Sequence, residues 1–172
     1  MYVTREFEIT DINKLRQIAH LLAKKSLIIG HGKYLLQGEL GTGKTTFVRF
    51  FVEMLPGAEQ AEVSSPSFNL FNIYPTSPEI IHVDLYRCMD LEEEVLEHLS
   101  SNDNIVFVEW CDRLPKIYWP PEHVLVEFKF KGKRRFIEIK LKESNLSLLR
   151  EIIDEKKHNF LVVTGDKTIN KK

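Results

Sequence analysis

The sequence predicts an α/β fold: a mostly parallel sheet flanked by helices, with an antiparallel hairpin and a further helix at its C-terminal end. Three observations predict it. A glycine-rich loop, Gly38 to Thr45, lies between a short apolar strand and an apolar helix. The run Ile105-Val106-Phe107-Val108 is continuously apolar, the pattern of a strand covered on both faces. Val124, Val126, Phe128 and Phe130 alternate with other residues, Lys131-Gly132-Lys133 turns, and Ile137, Ile139 and Leu141 alternate on the return.

The elements follow in order. Val3 to Ile9 alternates weakly, as a first strand. Asp11 to Lys25 places Leu15, Ile18, Ala19 and Leu22 on one helical face behind a cap at Thr10 or Asp11, and Gly30-His31-Gly32 stops it. Lys33 to Gln37 is a short strand running into the glycine loop. From Lys44 to Leu55 the apolar residues cover most of the helix, which marks it as buried, and Pro56-Gly57 ends it. Phe68 to Tyr74 and Ile80 to Asp84 read as strands, and Leu91 to Leu99 as a short acidic helix. Ser144 to Lys157 repeats Leu146, Leu149 and Ile153 at helical spacing. Residues 1–142 are expected to form one domain, with 143–172 a helix and tail packed on it or extending from it.

Bulk properties exclude several classes. With 43% of its 172 residues apolar, the chain can bury a core and is no disordered tail. Its 24 basic and 25 acidic residues nearly cancel, so net charge exerts no pull toward nucleic acid or membrane. Cys88 and Cys111 lack metal-ligand spacing and are expected to be reduced thiols. The six histidines form no zinc-type pair. The N-terminus is charged and alternating rather than a signal sequence, and no apolar run approaches the roughly 20 residues of a membrane helix. A soluble, cytoplasmic protein without membrane association is expected.

The loop carries the chemistry. Gly38-Glu39-Leu40-Gly41-Thr42-Gly43-Lys44-Thr45 fits the pattern Gly-x4-Gly-Lys-[Ser/Thr], which predicts a P-loop NTPase-like fold. Glycines let the backbone approach a ligand closely, its N–H groups face phosphate oxygens, and the following helix adds its positive dipole end. Glu39, Leu40, Gly41, Thr42, Gly43, Lys44, Thr45 and Thr46 are the expected cradle for the phosphates of ATP. In it Lys44 reaches the β- and γ-phosphates and Thr45 places its hydroxyl on Mg2+.

Chemistry also needs a carboxylate near the metal and a group that orients the attacking oxygen. Asp84 follows Ile80-Ile81-His82-Val83, and Glu109 follows Ile105-Val106-Phe107-Val108. Both sit where strand ends face the ligand crevice of an open α/β sheet. Ser64-Ser65-Pro66-Ser67 is a hydroxyl-rich turn, either a γ-phosphate sensor or a plain loop. Trp110 either joins the core or packs on a ligand or partner. Lys129, Lys131, Lys133, Arg134 and Arg135 are read as a solvated hairpin tip, with phosphate-backbone contact as the sharper alternative. No cis arginine finger is evident; Arg87 is the one candidate and is expected beyond the strand end, away from the phosphates.

Four linked segments then resemble a known family, the bacterial TsaE proteins. They are Gly38 to Thr45, Ser65-Pro66-Ser67-Phe68, His82-Val83-Asp84-Leu85-Tyr86-Arg87 and Val108-Glu109-Trp110, in the family's order and spacing across roughly residues 1–142. The resemblance implies a weak ATPase that acts with TsaB and TsaD in placing threonylcarbamoyl on the adenosine beside the anticodon of certain tRNAs, touching tRNA only through that complex. It implies Thr45 and Glu109 as magnesium ligands, Asp84, Lys44 and Ser67 as catalytic residues, and Trp110 as a neighbour of the nucleotide. The chain departs from the family pattern at Glu39, Thr42 and Ser67, lacks a glycine near Glu97 or His98, and has Lys14 near an expected adenine-side threonine. Two rivals stand against this reading. A small-molecule kinase would need an arginine-rich lid over its phosphate acceptor, and none is found. A GTP-dependent switch would need Asn-Lys-x-Asp, which Thr164-Gly165-Asp166-Lys167 is not.

Overall fold

The computed structural model describes residues 2–66, 69–87, 91–142, 144 and 162–163. Its strands are β1 (Tyr2–Glu8), β2 (Gly32–Gln37), β3 (Phe71–Tyr74), β4 (Ile80–Asp84), β5 (Ile105–Glu109), β6 (Val124–Lys131), β7 (Arg134–Lys142) and β8 (Val162–Val163). Its α-helices are α1 (Ile12–Ile29), α2 (Lys44–Val52) and α3 (Glu93–Ser100). All eight strands join one sheet in the order β3-β4-β5-β2-β6-β7-β1-β8.

The centre of that sheet, β4-β5-β2-β6, is parallel. The flanks are antiparallel: β3 on β4 at one side, then β7, β1 and β8 at the other. The expected α/β class is what forms, with its parallel part confined to the four strands around the glycine loop. The β6–β7 turn at Gly132 and Lys133 is too short for a crossover, so that pair must run antiparallel.

Local chemistry accounts for the elements. Asp11 caps α1, its carboxylate accepting from the N–H groups of Asn13 (2.9 Å) and Lys14 (3.2 Å). The helix runs a turn past the expected Lys25, because Ser26 is buried and donor-matched to Tyr34, their hydroxyls 2.8 Å apart. Gly30 then ends it at φ 81°, returning its N–H to the Ser26 carbonyl. Regular helix in α2 stops at Val52, short of Leu55; the last apolar positions continue in turns that Pro56 closes.

Helices cover both faces. On one, α1 and α2 bury Leu22, Phe47 and Phe51 against the sheet, with Phe51 edge-on to Phe107 at 4.8 Å. On the other, Val95 and Leu99 of α3 pack with Leu35 and Val106. Strand β3 begins at Phe71 rather than Phe68; Phe68 itself, like Cys88 and the expected helix through Leu146, Leu149 and Ile153, lies outside the described residues.

Charge on the hairpin is largely paired. Lys131 meets Glu6 at 2.6 Å, Arg134 meets Glu8, and Lys129 lies 3.2 Å from both Glu127 and Glu138. These exposed pairs add little stability, but they leave much less free positive charge for a phosphate backbone. The solvated-tip reading is the one the geometry favours.

Candidate functional site

Strand β2 sits between β5 and β6, and the glycine loop leaves its C-terminal end. That is the point from which parallel strands depart to either side, where open α/β sheets bind ligands. Gly38 has φ 152°, and a Cβ there would fall 2.8 Å from the Phe128 carbonyl and 2.9 Å from Thr42 Oγ1. Only glycine lets the loop lie this close to β6. Gly43, at φ 109°, starts α2 without a side-chain cap, so the first-turn N–H groups stay open toward the cleft.

Lys44 is buried at the head of this helix. Its ammonium donates across the loop to the carbonyls of Gly38 (2.7 Å) and Glu39 (2.9 Å). Burial pushes its pKa below the ordinary lysine value, while Glu109, Asp84 and Asp112 push the other way. Thr42 Oγ1 donates to the Glu39 carbonyl at 2.7 Å and tightens the turn. Leu40 is 73% exposed and lines the cleft.

The two acids are neighbours. Asp84 and Glu109 stand in register across the parallel β4–β5 pair. Glu109 is 3% exposed, and one oxygen, Oε1, accepts from Thr45 Oγ1 (2.8 Å) and contacts His82 Nε2 (2.8 Å). Asp84 is held at both oxygens: the Tyr86 N–H donates to Oδ1 at 2.9 Å, and Ser65 Oγ donates to Oδ2.

An aromatic wall stands opposite. Trp110 has φ 58° and is the one non-glycine residue with positive φ among the described residues. Strain of this kind in a bulky residue persists where surroundings enforce it, and it gathers at functional sites. The ring lies 4.8 Å from Tyr86 and 4.3 Å from the Lys44 ammonium. Arg113 stacks beside both rings and donates to the Leu85 and Tyr86 carbonyls.

Lys44, Thr45, Asp84, Tyr86, Glu109 and Trp110 line a cleft of about 650 Å³, within the range that takes a small ligand. A smaller recess of about 190 Å³ lies across Thr42, floored by Ile9, Leu15 and Phe128. The structure thus brings Leu40, Gly41, Gly43, Lys44, Thr45, Thr46, Asp84, Glu109 and Trp110 to one cleft. Glu39 and Thr42 lie on the loop's other side, and Ser67 lies outside the described residues. One expectation is corrected: Arg87 lines the cleft. His82 and Ser65 were passed over as site residues. The motifs contained both, but nothing in the sequence says that their side chains meet Glu109 and Asp84. Lys14 does not line the small recess; Thr10 does.

The donor set suits magnesium. Thr45, Glu109 and Asp84 offer only hard oxygens, and the Thr45 and Glu109 side chains already point at one another. No cluster of three or more His, Cys, Asp or Glu able to cage a metal occurs among the described residues. Magnesium held beside a triphosphate needs no such cage, since water and phosphate oxygens complete its shell.

A sequence model of the family described as threonylcarbamoyl adenosine biosynthesis protein TsaE matches residues 9–137. The chain belongs to the TsaE family. Its relatives include proteins named tRNA threonylcarbamoyladenosine biosynthesis protein TsaE. That of Haemophilus influenzae is 30% identical over 84% of this chain and 90% of its own length. That of Rickettsia typhi is 32% identical over 74% and 78%. The Rickettsia felis relative is 36% identical, but the match spans only 62% of each chain. In fold, the crystal structure of Bacillus subtilis YdiB aligns with TM-score 0.65, covering 92% of this chain and 98% of its own at 22% identity. No helix among the described residues of this TsaE-family chain is long and apolar enough to cross a membrane.

Proposed function

We propose that this TsaE-family protein is a magnesium-dependent ATPase of low intrinsic activity. It serves the threonylcarbamoyl modification of the adenosine beside the tRNA anticodon, acting with TsaB and TsaD in the cytoplasm. The observation that carries the nucleotide reading is the 2.8 Å contact of Thr45 with Glu109 at the head of a helix whose Lys44 faces the same cleft. The biological setting rests on the family and on its relatives' names.

In this reading the first-turn N–H groups of α2 and the Lys44 ammonium take the phosphates of ATP. Thr45 and Glu109 hold the metal, which neutralises charge developing on the phosphoryl oxygens. Asp84 orients the attacking water, since Tyr86 and Ser65 fix both of its oxygens. Trp110 and Tyr86 wall the cleft and hold bulk water off. The recess beside Thr42, with its apolar floor and the hydroxyl of Thr10, suits the adenine ring.

Steady-state hydrolysis measured with and without a TsaB–TsaD pair tests the proposal. Turnover by the isolated chain should stay below about 1 per second and should rise on adding the pair. Rapid turnover alone, or indifference to the pair, would contradict it.

A further inference from the structure

Beneath the cleft runs a chain of buried polar groups that nucleotide binding itself does not require. Glu109, His82 and Tyr74 are all at most 3% exposed. His82 Nε2 lies 2.8 Å from Glu109 Oε1, His82 Nδ1 lies 2.8 Å from the Tyr74 hydroxyl, and that hydroxyl lies 3.0 Å from the Ser64 carbonyl. Ser64 is on the surface, next to the serine that bonds Asp84. The chain therefore links a buried carboxylate to an exposed loop through two side chains on adjacent strands.

Proton counting makes the link directional. A carboxylate only accepts, so Nε2 carries the hydrogen donated to Glu109, and in the neutral ring Nδ1 is then an acceptor. The Tyr74 hydroxyl owns one proton and faces two acceptors, His82 Nδ1 and the Ser64 carbonyl. It can satisfy one at a time. Ser64 has a second donor in Asn72 Nδ2, at 3.2 Å, so the loop keeps a partner whichever way the tyrosine turns.

We propose that His82 and Tyr74 are positioning residues that couple metal occupancy at Glu109 to the hold on the Ser64–Ser65 loop. A strong bond from Nε2–H to a bare carboxylate polarises the imidazole and makes Nδ1 the better acceptor, which draws the tyrosine proton inward. A cation on Glu109 weakens that bond, Nδ1 becomes the poorer acceptor, and the proton turns to the Ser64 carbonyl. The loop beside Asp84 is then fastened when the metal arrives. By reciprocity, fastening the loop favours the metal to the same degree. The inference rests on the proposed magnesium–ATP reading of the cleft.

Tyr74→Phe keeps the ring and removes the proton. Hydrogen exchange at the Val63, Ser64 and Ser65 amides is compared for the protein alone, with ATP and chelator, and with magnesium–ATP; calorimetry gives the magnesium needed for half-maximal ATP binding. In the wild type, magnesium–ATP should slow exchange at these amides beyond ATP alone. Tyr74→Phe should abolish that increment and raise the magnesium requirement about three- to tenfold, the worth of one net hydrogen bond. His82→Gln, whose amide reaches Glu109 but offers Tyr74 no ring nitrogen, should also lose the increment and supplies the comparison should Tyr74→Phe misfold. A variant that folds and keeps both the increment and the wild-type magnesium requirement overturns the coupling. A wild type that binds no magnesium–ATP overturns the nucleotide reading and the coupling with it, an outcome distinct from the first.

Discussion

Glu109→Gln separates the roles of the two acids. The side chain keeps its shape, but the carboxylate that accepts from Thr45 and His82, each at 2.8 Å, becomes a neutral amide. Hydrogen bonds to a charged group contribute about 1.5–3 kcal/mol and neutral ones about 0.5–1.5, so the exchange removes about 1–3 kcal/mol of hold on the hydroxyl and metal. Glu109 is buried, so water cannot make good the loss. Magnesium-dependent ATP affinity should fall about 5- to 150-fold, at 1.4 kcal/mol per decade. ATP titrated calorimetrically at a series of magnesium concentrations reads this directly. Asp84→Asn is the counterpart. Asparagine can still accept from the Tyr86 N–H and donate to Ser65, so the turn survives and ATP affinity should stay within about threefold, while hydrolysis is lost with the charge that orients water. If Asp84→Asn loses magnesium-dependent binding and Glu109→Gln keeps it, the two roles are reversed.

Two further outcomes follow from the geometry. The Lys33 ammonium is buried at the opposite end of the sheet, donating to the His98 carbonyl (2.8 Å) and Asn104 Oδ1 (3.0 Å), and burial lowers its pKa to about 8. The unfolded chain binds the extra proton between about pH 8 and the ordinary lysine value, so folding stability should rise with pH across that window. In denaturant titrations the stability of the wild type relative to Lys33→Met should shift in favour of the wild type between about pH 8 and pH 10, and a constant difference would refute this. Trp110 emission should change when ATP draws the Lys44 ammonium from its place 4.3 Å over the ring, and Trp110→Phe should abolish the change although Trp119 remains. An ATP-dependent signal persisting in that variant would place the reporter elsewhere.

Much of this site was legible in the chain because its information is local. Gly38 to Thr45 is contiguous, and its spacing alone demands a strand before it and a helix after it. The acids Asp84 and Glu109 each end an apolar run, so their place at the crevice followed from the period of the strands. What required the structure is non-local. Strand β1 pairs with β7 over Tyr2–Glu8, bringing Glu6 and Glu8 to Lys131 and Arg134 from the far end of the chain and pairing charge that looked free. His82 reads as an ordinary strand residue until β5 is laid beside β4 and its ring meets Glu109. Arg87 was misplaced because the turn after β4 carries no pattern that fixes its direction.

The claim on which the rest depends is that the glycine loop holds a triphosphate through Lys44. Calorimetric titration of magnesium–ATP into the wild type and Lys44→Ala tests it most directly. The variant loses a charged donor facing the cleft, and affinity should fall about 10- to 150-fold, the worth of one charged hydrogen bond. Equal affinity in the two proteins would contradict the account.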